Sequence, residues 1–296
     1  MKNVTFVLLL VSMLFQACST DPVVTGPAEQ ENRKIRSILV EKPNFPGSDF
    51  RITFDSRGRP LRYSDITDQD IFRSFQYNNN GQVINIEHSG PQNYIEEFYY
   101  ENERLEYQTT LINQSEVLLE FIYSTSEIQV LRFIDDIYHS TIFFGFSDPE
   151  YEQLTEVRSY DGGGQLRHQY NLEYDDFDNI VLQEQYSYDP FIQEMVFNRR
   201  ISQIFDQGIN PLYDSDQPGW MPAWFMSHPE SESFIENISR FSPNNVSSRI
   251  ITNADGSTSN ISYDYEYDDF GYPSQIMRIT DGEFDIRKYG FEYYYN

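Results

Sequence analysis

The sequence predicts an all-β fold: a long antiparallel meander of hairpins forming a curved sheet or a closed, barrel-like structure, with one helix inserted near residues 228–241. Three observations carry that expectation. A turn phrase recurs six times, the segments around it alternate apolar and polar residues, and a single late segment switches to helical spacing.

The phrases read "FDSRGRP" (54–60), "YNNNGQV" (77–83), "YENERL" (100–105), "YDGGGQL" (160–166), "YDDFDNI" (174–180) and "YDDFGYP" (267–273). Each runs aromatic, Asp or Asn, two free positions, Gly, a polar or aromatic residue, then an apolar one or Pro. Asp and Asn suit the first corner of a type I turn because their side chains accept from backbone amides ahead. Glycine suits the position where the backbone turns left-handed and closes the hairpin through a bulge. In the fifth copy Asp178 replaces that glycine, and aspartate tolerates the left-handed region better than most residues. The third copy is one residue short, and Asn102 can serve the same purpose.

The flanks alternate as strands with one solvated face do. Ile261, Tyr263, Tyr265 and Tyr267 share one face, and Ser262, Asp264, Glu266 and Asp268 the other. Tyr170, Leu172 and Tyr174 repeat the scheme, as do Phe291, Tyr293 and Tyr295. The acids opposite the tyrosines do not make the outward apolar band of a transmembrane barrel. A sheet curling around its tyrosines is expected instead.

The segment "SHPESESFIENISRFSPNN" (227–245) breaks the period, with Phe234, Ile235, Ile238 and Phe241 at helical spacing. Ser227 and Glu230 form a capping-box pattern around Pro229 in the first turn, and Ser242-Pro243 ends the run.

The amino-terminal residues specify a destination. Lys2 precedes an apolar run over residues 4–15, shorter than the ~20 residues a membrane-spanning helix needs. Small Ala17 follows, then Cys18, the arrangement of a cleaved leader. Residues 1–17 read as a lipoprotein signal peptide, 18–33 as a lipidated flexible tether, and 34–296 as a single repeat-built β domain. Cys18 is the expected lipidation site, and a Gram-negative cell envelope, with the outer membrane favoured by Ser19, the expected location. Membrane attachment through the lipid is the one firm partner; a glycan or an envelope protein is a further candidate.

Cys18 is the only cysteine, so disulfides, a thiolate nucleophile and cysteine-built zinc sites are all excluded. The chain carries 47 acids against 21 bases, a formal charge of −26, and such a field repels nucleic-acid phosphates. Aromatic residues at 16% speak against an acidic disordered chain.

Four histidines, His88, His139, His168 and His228, are scattered without ligand spacing, and each reads as a surface or satisfied histidine. No nucleophile elbow, phosphate loop or dinucleotide fingerprint occurs, so no cofactor and no catalytic residue is assigned, and a non-enzyme is expected. Two carboxylates flanking a glycosidic bond would make a glycoside hydrolase, although so many acids make proximity uninformative. Asp214 and Asp216 in "DSDQPG" are weak calcium candidates against solvated turn acids. Trp220, Trp224 and Phe225, in the cluster "WMPAWFM", are the candidate ligand-binding residues, since flat aromatic faces suit sugar rings, but a plug sealing one end of the sheet is the favoured reading.

The turn phrases resemble the YD repeats of rearrangement-hotspot shell proteins. A closer resemblance is to uncharacterised Gram-negative lipoproteins with a porin-like β fold, carried by Cys18, the hairpins, "FDQGINPL" (205–212), "SPNNV" (242–246) and "YEYDDFGYP" (265–273). Gly208 stands where that resemblance would place a lysine. It implies a curved or closed β architecture with a late helix, and no activity. The expected function is a cell-envelope lipoprotein acting as a non-catalytic binding or scaffold module, with a glycan-handling lipoprotein as the alternative.

Overall fold

In a computed structural model of the chain, the turn aspartates and asparagines hold the amides ahead of them. Asp55 Oδ1 accepts from the amides of Arg57 and Arg59, each at 2.9 Å. Asn78, Asp161, Asp175 and Asp268 do the same at the matching positions of their own turns. Gly58 and Gly271 both take φ of 81°, a left-handed conformation that strains any other residue. Asp178 takes the same region at 63°, as its substitution for glycine requires. In the short third phrase Asn102 and Glu103 are both left-handed, at 49° and 67°, a two-residue reversal whose twist matches the strands it joins.

The structure describes residues 33–45, 47, 49–149, 153–213, 242–281 and 285–294. Among these, eighteen strands follow in chain order. They are β1 (Ile35–Glu41), β2 (Phe50–Phe54), β3 (Pro60–Asp65), β4 (Phe72–Tyr77), β5 (Val83–Ser89) and β6 (Tyr94–Glu101). Next come β7 (Arg104–Ile112), β8 (Ser115–Tyr123), β9 (Glu127–Ile134), β10 (Ile137–Phe146), β11 (Leu154–Asp161) and β12 (Leu166–Tyr174). The last are β13 (Ile180–Asp189), β14 (Glu194–Ile209), β15 (Asn244–Asn253), β16 (Thr258–Tyr267), β17 (Pro273–Thr280) and β18 (Asp285–Tyr293). No helix occurs among the described residues. The expected helix near 228–241, the leader with Cys18, and most of the tether lie outside them.

Each strand pairs antiparallel with the next, and β1 pairs with both β2 and β18. The meander therefore closes into a barrel, and closure removes the exposed edges that invite aggregation. Turn phrases leave a one-residue register shift beside the aromatic that opens them, as at Gln76/Tyr77, Glu173/Tyr174 and Glu266/Tyr267.

Alternation sorts the two faces as the sequence predicts. Ile261 is buried while Ser262, Asp264 and Glu266 are exposed; Tyr170 and Leu172 are buried while Glu173 is exposed. In one part of the barrel the inner faces pack against one another. Val83, Ile86, Val130 and Val157 have no exposed surface and Phe144 only 1%, so this part of the interior is packed shut. A second cluster, with Ile35, Ile38, Val40, Phe54, Tyr272 and Tyr293, gathers where the chain's two ends meet.

The tyrosines do more than fill space. Tyr77 donates its hydroxyl to the Pro60 carbonyl, Tyr123 to Leu105, Tyr174 to Leu154, Tyr265 to Val246 and Tyr293 to Pro273, all within 2.6–3.0 Å. In each pair a tyrosine late in one strand satisfies the carbonyl at or near the start of the strand before it. Burial is the main cause that pushes the phenols of Tyr77, Tyr174, Tyr265 and Tyr293 well above the ordinary tyrosine range, so they stay protonated donors. Tyr174→Phe strands a half-buried carbonyl without removing the ring. It is expected to lower unfolding free energy by about 1–3 kcal/mol, read as a shift in the urea midpoint with unchanged slope.

Candidate functional site

The barrel is not filled everywhere. A cavity of about 200 Å³ remains between β1 and β2 on one side and β15–β18 on the other, lined as well by Asn210, Pro211 and Leu212 just after β14. Its walls are apolar and aromatic: Ile38 and Val40, Phe50 and Ile52, Ile276, Tyr289 and Phe291. Alternation puts them there, because each is the inward residue of its strand. Tyr263 and Tyr265, two of the row that the sequence places on one face, line it as well.

Two arginines, Arg249 on β15 and Arg278 on β17, break this apolar lining. Arg249 is 3% exposed and Arg278 7%. Gln203, cross-strand from Arg249, accepts from Arg249 Nε at 3.1 Å and Nη2 at 2.8 Å through one oxygen. The Gln203 amide nitrogen donates to the Ile180 carbonyl at 2.7 Å, which fixes the glutamine's orientation and hence the guanidinium's. Arg278 faces Tyr263 on one neighbouring strand and Arg287 on the other.

A knot of asparagines builds the cavity floor. Asn210 donates to the Ser242 carbonyl at 2.8 Å, and Asn245 to the Ile209 carbonyl at 3.0 Å. Ser242 Oγ accepts from the Ile180 amide at 3.0 Å, and Asn244 exchanges side-chain and backbone bonds with Asn179 at 3.1 Å. The Asn-Pro and Asn-Asn elements of 205–212 and 242–246 are thus structural: they satisfy buried backbone groups where β14 leaves the sheet and β15 rejoins it. Gly208 has a steric reason here. A Cβ on it would strike the Tyr267 hydroxyl and lie 2.7 Å from the Asn245 amide nitrogen. Tyr267 in turn donates to Asp206, and burial followed by that carboxylate pushes its phenol up.

A second polar cluster sits on β5–β7. His88 Nε2 lies 2.6 Å from Glu96 Oε1, with side-chain exposures of 7% and 1%. Glu96 Oε2 accepts from Gln108 Nε2 at 2.7 Å, and Tyr94 stacks on the imidazole at a centroid distance of 4.0 Å. His88 is therefore buried, with its Nε2 held against the Glu96 carboxylate. Among the described residues no group of histidines and carboxylates could hold a metal ion.

The aromatic candidates Trp220, Trp224 and Phe225 and the calcium candidates Asp214 and Asp216 lie outside the described residues. Arg249, Gln203 and Arg278 were not singled out by sequence reasoning. The available signal was weak: "SSRIITN" puts isoleucines on both faces, and alternation alone does not say which side Arg249 takes.

The sequence matches no known protein-family profile and no curated protein. Among solved structures, the fold is similar to a porin-like protein from Bacteroides vulgatus, at 10% identity and a TM-score of 0.45, covering 88% of this chain and 99% of that one. It is also similar to a porin-like protein from Bacteroides uniformis, at 8% identity and a TM-score of 0.36, covering 88% and 96%.

Proposed function

We propose that this chain is a lipid-anchored binding module of the bacterial cell envelope, tethered through Cys18, whose barrel holds a small ligand instead of conducting solute or catalysing a reaction. The observation that carries this reading is the cavity of about 200 Å³ lined by inward residues of β1, β2 and β15–β18. A fully buried Val83, Ile86, Val130 and Val157 leave no continuous lumen in that region. Strands β2 to β5 have five to seven residues, short of the ~9–11 a membrane-spanning strand needs. Exposed Glu97, Glu101, Asp264 and Glu266 occupy the outer face, where lipid contact would leave their charges unsolvated.

Fractionation of wild type and Cys18→Ala tests the reading. Wild type is expected in membranes, and Cys18→Ala in the soluble fraction as a monodisperse β protein that needs no detergent. A Cys18→Ala protein that stays soluble only in detergent, or that gives conductance steps in a planar bilayer, overturns it.

A further inference from the structure

We infer that the cavity binds a small aromatic carboxylate, with its anion on Arg249 and its ring among the aromatic walls. The inference rests on the binding-module reading and names the ligand class of the same site.

The charge distribution is the first argument. In a chain with 47 acids and 21 bases, the described residues lining this cavity include two arginines and no acid. An interior that merely shared the surface's composition would be acidic. The lining of this cavity reverses that sign.

Arg249 is the second. The residue is 97% withdrawn from solvent. Of its five N–H groups, two converge on the Gln203 oxygen, and among the described residues no carboxylate stands within ion-pair distance. A buried guanidinium without a counter-charge is costly to the fold, whereas an anion delivered by a ligand offsets that cost. Gln203, itself held by the Ile180 carbonyl, fixes the guanidinium through Nε and Nη2 before any ligand arrives. Such pre-organisation lowers the entropy lost on binding.

Size and lining set the rest of the class. About 200 Å³ is below the ~300–1,000 Å³ of drug-sized sites and suits a single ring with a short acid arm. Phe50, Tyr263, Tyr289 and Phe291 offer ring faces and edges for offset or edge-on aromatic contact. The planar fork of a guanidinium matches a carboxylate better than a point cation would.

Isothermal titration of the full chain in neutral detergent tests the assignment, with phenylacetate as probe, phenylacetamide as its neutral counterpart and inorganic phosphate as a ring-free anion. Phenylacetate is expected to bind one-to-one, and the amide about 10- to 100-fold more weakly. Arg249→Met should lose a similar factor with a wild-type circular dichroism spectrum, and Arg249→Lys should lose less. Equal binding of acid and amide, phosphate binding as tightly as phenylacetate, undiminished binding by Arg249→Met, or no heat with phenylacetate at about 10 mM overturns the proposal. The acid-to-amide ratio is read on the unmutated chain, so it decides even if Arg249→Met fails to fold. A detergent-dependent Cys18→Ala protein would remove the module reading alone; a flat acid-to-amide ratio would remove the carboxylate assignment alone.

Discussion

Phe144→Ala is expected to lower the unfolding free energy by about 3–5 kcal/mol, among the largest effects of any single substitution in this chain. Phe144 sits on β10, 1% exposed, with Ile128 of β9 and Val157 of β11 directly across from it. Truncation removes the ring's transfer energy and leaves a hole that a closed barrel has little freedom to collapse. Strands joined on both sides cannot slide inward without breaking ladder bonds. At about 2–4 °C per kcal/mol for a domain near this size, the melting temperature should fall by roughly 6–20 °C. Calorimetry or a circular dichroism melt reads it directly. A loss under about 1 kcal/mol would mean that this part of the barrel is not packed as described.

Glu96→Ala is expected to cost about 3–5 kcal/mol by a different route. The carboxylate is 1% exposed, faces His88 at 2.6 Å and accepts from Gln108 at 2.7 Å. Its removal leaves an imidazole and an amide buried without their acceptor, and each must then be desolvated for nothing. The double variant Glu96→Leu with His88→Leu removes both members of the pair. It should recover much of the loss, since well-packed apolar residues often replace a buried ionic pair without penalty. A double-mutant cycle in urea separates the terms. Additive losses with no recovery would show that the two side chains act independently.

Both effects fall on residues that patterning alone places inside, but with different legibility. Phe144 belongs to "TIFFGF", where apolar residues occupy both faces, so burial of this phenylalanine rather than Phe143 depends on the register set by β9 and β11. Glu96, in "IEEFYY", sits beside Glu97, and one is the most buried acid of the barrel while its neighbour is exposed. Nothing in that dipeptide distinguishes them. The pleat does, once Phe98 is committed to the core two residues on.

The turns divide in the same way. The six phrases with their glycines, or with Asp178 and Asn102 in place of glycine, reverse the chain where the sequence indicates. Other reversals at Asn113-Gln114 and Asp135-Asp136 put four non-glycine residues at φ of 51–74° with no phrase around them. Their signal is a bare pair of polar residues between strands, too common to read alone. The candidate site was the least legible part. Arg249 stands in register with Gln203 of β14, and its meaning depends on that glutamine, far earlier in the chain.

What the sequence determined by itself was local: where the chain turns left-handed, which residues share a face, and that antiparallel hairpins follow one another. Those outcomes depend on glycine's missing side chain, on an aspartate reaching two to four amides ahead, and on a two-residue period. Only the tertiary structure decided that the meander closes, which inward residues pack and which leave a cavity, and that two arginines face it. Closure pairs β1 with β18, exemplified by Ser37 donating to Glu292 across 255 positions at 2.9 Å. A contact of that span has no local signature, because it exists only once the accumulated twist and register shifts of all the intervening strands bring the two ends together.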